Sequence, residues 1–319
     1  MTVAFVAPSA SGELGLPIDC VLGKTCFVQQ LPDMDLGPGV ADPWCGQASY
    51  DGHDGTDIRL RSMLDEARGL AVIAVADGEV LRTRDGVPDK LVQSPEDADR
   101  IANIECGNGL VIDHGDGLEA QYCHLKMESL AVSPGDTVRK GDVLGEVGAS
   151  GMTQFPHVHV TITKDGVEID PSTGRALSDG CATGSQAAPV SYWDAATAPL
   201  FTDRTDAIIG HGFTDAALDH EDLVIHGAPP APSPDSPAIV GWAWMINLRA
   251  GDSIELVLTG PDGAVVAENV IPPLESSKAT YSAYTGKRGA PEPGTYALAV
   301  TVRGQDGRVL TAESALTLR

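Results

Sequence analysis

Positive charge is scarce in this chain. Lys and Arg number 21 against 45 Asp and Glu, a formal net charge of -24. Phosphate backbones and anionic lipid surfaces repel such a chain, so neither nucleic acid nor an anionic membrane is expected as a partner. Long apolar runs are missing as well. No stretch reaches the roughly 20 apolar residues that a membrane-spanning helix needs. The opening MTVAFVAPSASG has no basic n-region and too short an apolar run for a full signal peptide, and it reads as a mature or trimmed N-terminus. None of the six cysteines has CxxC spacing, which argues against a cysteine zinc site or a thioredoxin-like motif. Aromatic residues make up only 5%, whereas there are 36 Gly and 22 Pro, and short alternating apolar runs recur. That combination predicts an all-β protein, and 319 residues suggest two domains.

Histidine is scarce too, with eight in the chain, yet four of them fall in three short words. These are HDGTD (His53 to Asp57), QYCHL (Gln121 to Leu125) and PHVHV (Pro156 to Val160). In an extended strand, residues i and i+2 point to one face, so His157 and His159 can reach one point. His53 and Asp57, four apart, share a strand face by the same rule, and Gly55 argues against a helix there. In QYCHL the same alternation puts Tyr122 and His124 on one face and Cys123 on the other. Two histidines and a carboxylate converging from separate strands are a catalytic zinc set, because they leave one position open.

The three words resemble the lysostaphin/LytM-type zinc metallopeptidases, which cut peptides of bacterial cell walls. The resemblance covers roughly residues 50 to 172 and includes the framework segments AVIAVADGEVLRT, GNGLVIDHGDGLEAQYCHL and VSPGDTVRKGDVLGEVGASGMTQFPHVHV. It implies a LytM-type barrel-sandwich (duplicated hybrid motif) catalytic domain. It implies one zinc per chain held by His53, Asp57 and His159, with His124 and His157 as the two catalytic histidines beside the open position. Either of these two can be the base. The implied activity is hydrolysis of peptidoglycan peptides, with a catalytically silent activator of a cell-wall amidase as the alternative. The VSPGDTVRKGDVLGEV rhythm is shared with lipoyl and biotinyl carriers and with sugar-phosphotransferase domains. The first need a modified lysine at a hairpin tip, and none sits suitably here, while the second use two histidines but no HxxxD word.

An even cysteine count beside an extracytoplasmic family suggests three disulfides. Proximity favours Cys20–Cys26. A hairpin turning near Gly115 brings Cys106 and Cys123 onto neighbouring strands, and Cys45–Cys181 would then remain. Disulfides and acidity together lean toward a periplasmic, or secreted, enzyme acting on D-Ala cross-links.

The expected organisation is an N-terminal tail and arm over residues 1–50, the metallopeptidase domain over 51–172, a linker region over 173–237 and a β-sandwich over 238–319. A polar insertion at residues 85–103 is expected to turn helical near Pro95 to Ile101. Five alternating runs from Ala238 onward, separated by turns at PDG, EPG and QDG, predict an immunoglobulin-like sandwich that could bind cell wall or a protein partner. Trp242 and Trp244 share a strand face there and are expected in its core. His114 reads as a turn residue, while His211, His220 and His226 have no ligand spacing. The arm from Gln29 to Cys45 runs directly into HDGTD and carries Asp33, Asp35 and Asp42. It is expected to line or partly cover the cleft.

Overall fold

The computed structural model describes residues 13–183 and 190–319, and the chain divides into two compact units between Thr205 and Asp206. Among the described residues no helix is long and apolar enough to cross a membrane.

The first unit is built on antiparallel strands. They are β1 (Phe27–Gln30), β2 (Thr56–Arg59), β3 (Ala71–Ile73), β4 (Gly78–Arg84), β5 (Asn108–Asp113), β6 (Leu118–Leu125), β7 (Thr137–Val138), β8 (Val143–Glu146), β9 (His157–Lys164) and β10 (Val167–Ile169). The main sheet runs β1-β2-β9-β6-β5-β4-β7, with β10 also paired to β9, and β3 and β8 form a separate ribbon. Strand β9 is central because both of its faces are buried. Val158, Val160 and Ile162 point into the hydrophobic core with Ile58, Leu110, Ile112, Ala120 and Tyr122. The histidines of β9 occupy the opposite face. Burying each large apolar side chain contributes roughly 1.5–3 kcal/mol, so the core face sets the register and the register sets where the histidines lie. The Tyr122 hydroxyl is satisfied inside the core by the Val75 amide, which donates to it at 2.9 Å.

Among the described residues of this unit are two short α-helices, α1 (Met63–Glu66) and α2 (Pro95–Arg100). The second is the helix expected in the polar insertion. Ser94 caps it by accepting from the Asp97 amide, Pro95 opens it, and Glu96 and Asp97 sit in its first turn. The N-terminal arm belongs to the same unit, since β1 extends the main sheet beyond β2. Three disulfides form, Cys20–Cys26, Cys45–Cys181 and Cys106–Cys123.

The second unit is a seven-stranded sandwich. Strands β11 (Ala207–Thr214), β12 (Ala238–Leu248) and β15 (Lys278–Arg288) form one sheet. Strands β13 (Ser253–Thr259), β14 (Val265–Ile271), β16 (Gly294–Arg303) and β17 (Val309–Leu318) form the other. Their inner faces share one core that includes Ile239, Met245, Leu256, Leu298 and Val300. Tyr296, near the start of β16, donates its hydroxyl to the Glu292 carbonyl at 3.2 Å, the tyrosine corner of immunoglobulin-like sandwiches.

Sequence and structure differ here in two ways. The stretch 173–237 is not a linker. It contains β11, which pairs along β12, and the helix α3 (His220–His226), so the sandwich unit starts at Asp206 and APPAPSPDSP is a loop inside it. Strand β15 was not among the expected runs, because its burial alternates poorly and Ser, Thr and Lys dominate it. Trp242 and Trp244 are buried as expected, on the side of β12 that faces Gly210, Gly212 and His220.

Tyr122→Phe keeps the ring and leaves the Val75 amide without an acceptor in the core. The first unit is expected to lose about 1–3 kcal/mol of stability. Urea unfolding of the pure variant measures this, and an unchanged midpoint would mean the amide finds another partner.

Candidate metal centre

Strand pairing places two of the expected ligands side by side. Asp57 on β2 lies opposite His159 on β9, and the next pair on that face is Arg59 opposite His157. Cross-strand partners share a face, so both histidines of HVH and the aspartate meet on the side away from the core. His53 arrives differently from the sequence expectation. HDGTD is not one strand, because β2 starts only at Thr56. A turn through Gly52, whose φ is +78°, brings His53 back over Asp57, and the His53 amide donates to the Tyr50 carbonyl. Glycine adopts this left-handed conformation without steric cost.

The three donor atoms form a small triangle. His53 Nε2 lies 3.2 Å from Asp57 Oδ1 and 3.1 Å from His159 Nδ1, and His159 Nδ1 lies 2.8 Å from Asp57 Oδ1. A tetrahedral metal with bonds of about 2.0–2.1 Å has ligand-to-ligand edges of roughly 3.3 Å, so the donor set fits zinc closely. These three are the group among the described residues that could hold a metal ion. All three are buried. The His53 ring is oriented by its Nδ1, which donates to the Leu31 carbonyl at 2.8 Å and leaves Nε2 for the metal.

His124 and His157 flank this triangle. His157 Nδ1 donates to the Phe155 carbonyl at 2.9 Å, and its Nε2 lies 3.6 Å from Asp57 Oδ1. Its ring packs against Phe155, which in turn stacks on the buried Arg59 guanidinium at 4.4 Å. His124 Nδ1 donates to the Ser150 carbonyl at 2.8 Å, and its ring lies 4.6 Å from that of His157. The expected alternation within QYCHL fails at this point. Tyr122 faces the core, while Cys123 pairs with His159 on the metal side. His124 reaches the same side only because its backbone is left-handed, at φ +64°. A non-glycine residue in that region is strained and persists because its surroundings hold it. The His124 amide donates to the Cys106 carbonyl at 2.8 Å, and Cys106 is disulfide-bonded to Cys123. Asn108 and Ser150 complete the support, the Asn108 amide donating to Ser150 Oγ.

Charge follows from this geometry. Burial would raise the Asp57 carboxyl, but the His53 and His157 rings and hydrogen bonds from His159 and His53 outweigh it and hold Asp57 well below the carboxylate range. Burial opposes a charge on His159, yet hydrogen bonds to Asp54 and Asp57 push its pKa up to about 10. Burial, with His157 and His159 nearby, holds His124 well below the usual imidazole value. Burial lowers His157 as well, against the pull of Asp57. The metal-free centre therefore pairs one imidazolium with a buried carboxylate, beside two neutral imidazoles.

All five expected residues converge. The arm also reaches the site, but through its backbone. Leu31 accepts from His53, and the Asp33 amide donates to the His53 carbonyl. The arm carboxylates are engaged elsewhere. Asp33 accepts from the amides of Asp35, Ala41 and Gly52, Asp35 from Gly37, and Asp42 from Trp44, Gly46 and Ala48. None of them joins the metal-capable group. Short Asx-type loops compete for such side chains, which is why adjacency to HDGTD was a poor guide. Sequence reasoning passed over Tyr50, whose ring packs on His53 at 4.6 Å, and Asp54, which contacts His159. Their position inside or beside the HDGTD word was the available signal. His114 is a turn residue as expected, its Nδ1 donating to the Asp77 carbonyl.

Residues 51–171 match the sequence profile of peptidase family M23, and this domain of the chain belongs to that family. A stretch of 65 residues is 37% identical to the DD-carboxypeptidase/endopeptidase Mpg of Neisseria meningitidis, covering 20% of this chain and 14% of that protein. The Neisseria gonorrhoeae protein of the same name matches to the same extent. The match thus spans about a seventh of the length of these curated relatives. Among solved structures, the catalytic domain of the antimicrobial peptidase lysostaphin from Staphylococcus simulans is 20% identical, over 44% of this chain and 84% of that one, with a TM-score of 0.28. A zinc containing peptidase from Vibrio cholerae is 22% identical, over 46% and 39%, with a TM-score of 0.29.

Because His159 holds its proton below about pH 10 in the metal-free protein, metal uptake must displace that proton. Zinc affinity is expected to fall about tenfold per pH unit on going from ~8 to ~6, with about one proton released per ion. Calorimetry in buffers of different ionisation enthalpy counts the proton. Zinc binding with no proton released in this range would exclude the imidazolium–carboxylate arrangement.

Proposed function

We propose that this chain is a zinc-dependent peptidoglycan endopeptidase that hydrolyses peptide cross-links of the bacterial cell wall, with D,D bonds as its substrate class. The triangle of His53, Asp57 and His159 donors, flanked by two neutral imidazoles, carries this reading. The family of residues 51–171 and the D,D activity named for the Neisseria relatives support it. The intact donor set disfavours a silent amidase activator, since an activator has no need of two further histidines beside a metal site. Three disulfides support an extracytoplasmic, periplasmic location. The sandwich unit is proposed to bind cell wall or a protein partner.

Zinc, when bound, supplies Lewis acidity that polarises a scissile carbonyl and makes water a competent nucleophile near neutral pH. The protein's own groups move the protons. His124 and His157 each donate Nδ1–H to a backbone carbonyl, which fixes the tautomer whose Nε2 can accept a proton. One of them takes the proton of the attacking water and passes it to the leaving amine. The other, neutral and with its Nε2 unprotonated, accepts a hydrogen bond from that water and orients it. Asp57, only 3.6 Å from His157 Nε2, stabilises a charge that forms on His157. Burial of all four histidines keeps bulk water from competing for these hydrogen bonds.

His159→Ala is expected to abolish stoichiometric zinc by elemental analysis while the chain remains folded. His124→Ala and His157→Ala are expected to retain zinc and to lose about 100- to 10,000-fold in turnover of purified peptidoglycan. A zinc-loaded wild type that leaves cross-linked muropeptides intact would exclude the enzyme reading, and stimulation of an amidase by that same protein would establish the activator. Paired Cys106→Ser and Cys123→Ser changes free the backbone that constrains His124. They are expected to lower turnover at least about tenfold at unchanged zinc content. Wild-type rates would show that Ser150 and the β6 framework suffice to place this ring.

A further inference from the structure

Asp54 lies between two ligand positions, yet the chemistry above gives it no role. Its Oδ1 is 3.0 Å from His159 Nε2, the ring nitrogen on the far side from Asp57. Thr161 Oγ1 is also 3.0 Å from that nitrogen. The approach depends on Gly55. A Cβ there would come within 2.6 Å of His159 Nε2 and 2.7 Å of the Val160 carbonyl, so only glycine lets the chain lie against this ring edge. That close passage carries Asp54 over the imidazole. The HDGTD word thus surrounds His159, with Asp57 and His53 on Nδ1 and Asp54 on Nε2.

The two groups on Nε2 differ in what they can enforce. A hydroxyl donates or accepts, so Thr161 is compatible with either tautomer of the ring. An ionised carboxylate only accepts, so Asp54 requires Nε2 to carry hydrogen. In the neutral ring this leaves the lone pair on Nδ1, the atom that completes the donor triangle. The opposite tautomer would put a hydrogen where the metal belongs. The carboxylate charge acts in the same direction, because a divalent ion feels it about twice as strongly as the proton it replaces.

We propose that Asp54 is a positioning residue of the metal centre, one that selects the metal-binding tautomer of His159 and holds the ring in the orientation that aims Nδ1 at the site. This rests on the reading of His53, Asp57 and His159 as zinc ligands. Asp54 is half-exposed, with 46% of its side chain accessible, so its loss opens no core cavity.

The test uses the full chain and zinc alone. Zinc affinity is measured by chelator competition at fixed pH for wild type, Asp54→Ala, Asp54→Asn and Thr161→Val, and nitrogen NMR reads the His159 tautomer. Asp54→Ala is expected to weaken zinc binding about 10- to 100-fold, and the metal-free ring is expected to gain a population with hydrogen on Nδ1 once deprotonated. Asp54→Asn, which keeps the shape without the charge, is expected to weaken binding in the same direction and carries the test should the alanine variant fail to fold. Thr161→Val is expected to stay within about threefold of wild type. An affinity within about twofold of wild type for either Asp54 variant overturns the proposal, as does a Thr161→Val loss equal to that of Asp54→Ala. A wild type that binds no zinc overturns the ligand reading itself, an outcome distinct from a wild type that binds zinc with Asp54 variants to match.

Discussion

The antiparallel pairing of β2 with β9 is the constraint on which the site depends. It sets Asp57 opposite His159 and Arg59 opposite His157. The opposite faces of both strands are filled by Ile58, Val158 and Val160, so a slip of one residue would turn the histidines into the apolar core and the valines toward the donor cluster. The apolar face therefore specifies the polar one. Asp57 is almost fully buried and would be costly as an isolated carboxylate. Three imidazoles around it make its ionised form the stable one, and that same cluster is a ready ligand set for a divalent cation.

Precision at the edge of the site comes from backbone irregularities. Gly52 turns His53 back over the sheet, and Gly55 admits the edge of His159. His124 is held in a left-handed conformation by its bond to Cys106, with the Cys106–Cys123 disulfide beside it. At Gly52 and His124 the chain leaves regular strand geometry, and each departure turns a histidine toward the metal side. The left-handed His124 fits the general observation that strain collects at functional sites, where the surrounding structure over-determines it.

The sandwich unit is held by its own devices. Arg308 is buried between Asp206 and Asp252 at the ends of strands from both sheets, and Tyr296 ties β16 to the turn before it. A buried cation flanked by two carboxylates adds little net stability but strongly disfavours arrangements that leave it unpaired. Including Asp206 in this network is one physical reason that the unit begins there and not at Ala238, where the alternating runs start.

The sequence by itself determined the donor types and, at HVH, the strand that carries two of the histidines. HxxxD, HL and HxH supply nitrogen and carboxylate donors, the types that hold a metal such as zinc. The alternation of HVHVTIT, with Val on one side and His on the other, encodes both core and site because a strand has a period of two. The end of β6 was illegible, because a single left-handed residue reverses the alternation and nothing local in QYCHL announces it. The arm does reach the site, but through its backbone and not its carboxylates. Its aspartates carry ligand chemistry, but short loops offer them nearer backbone amides. The roles of Asp54 and of the Leu31 carbonyl, and the membership of β11 in the second unit, were decided only by tertiary structure. They depend on which atoms lie within about 3 Å across long stretches of chain, a distance that sequence spacing does not carry.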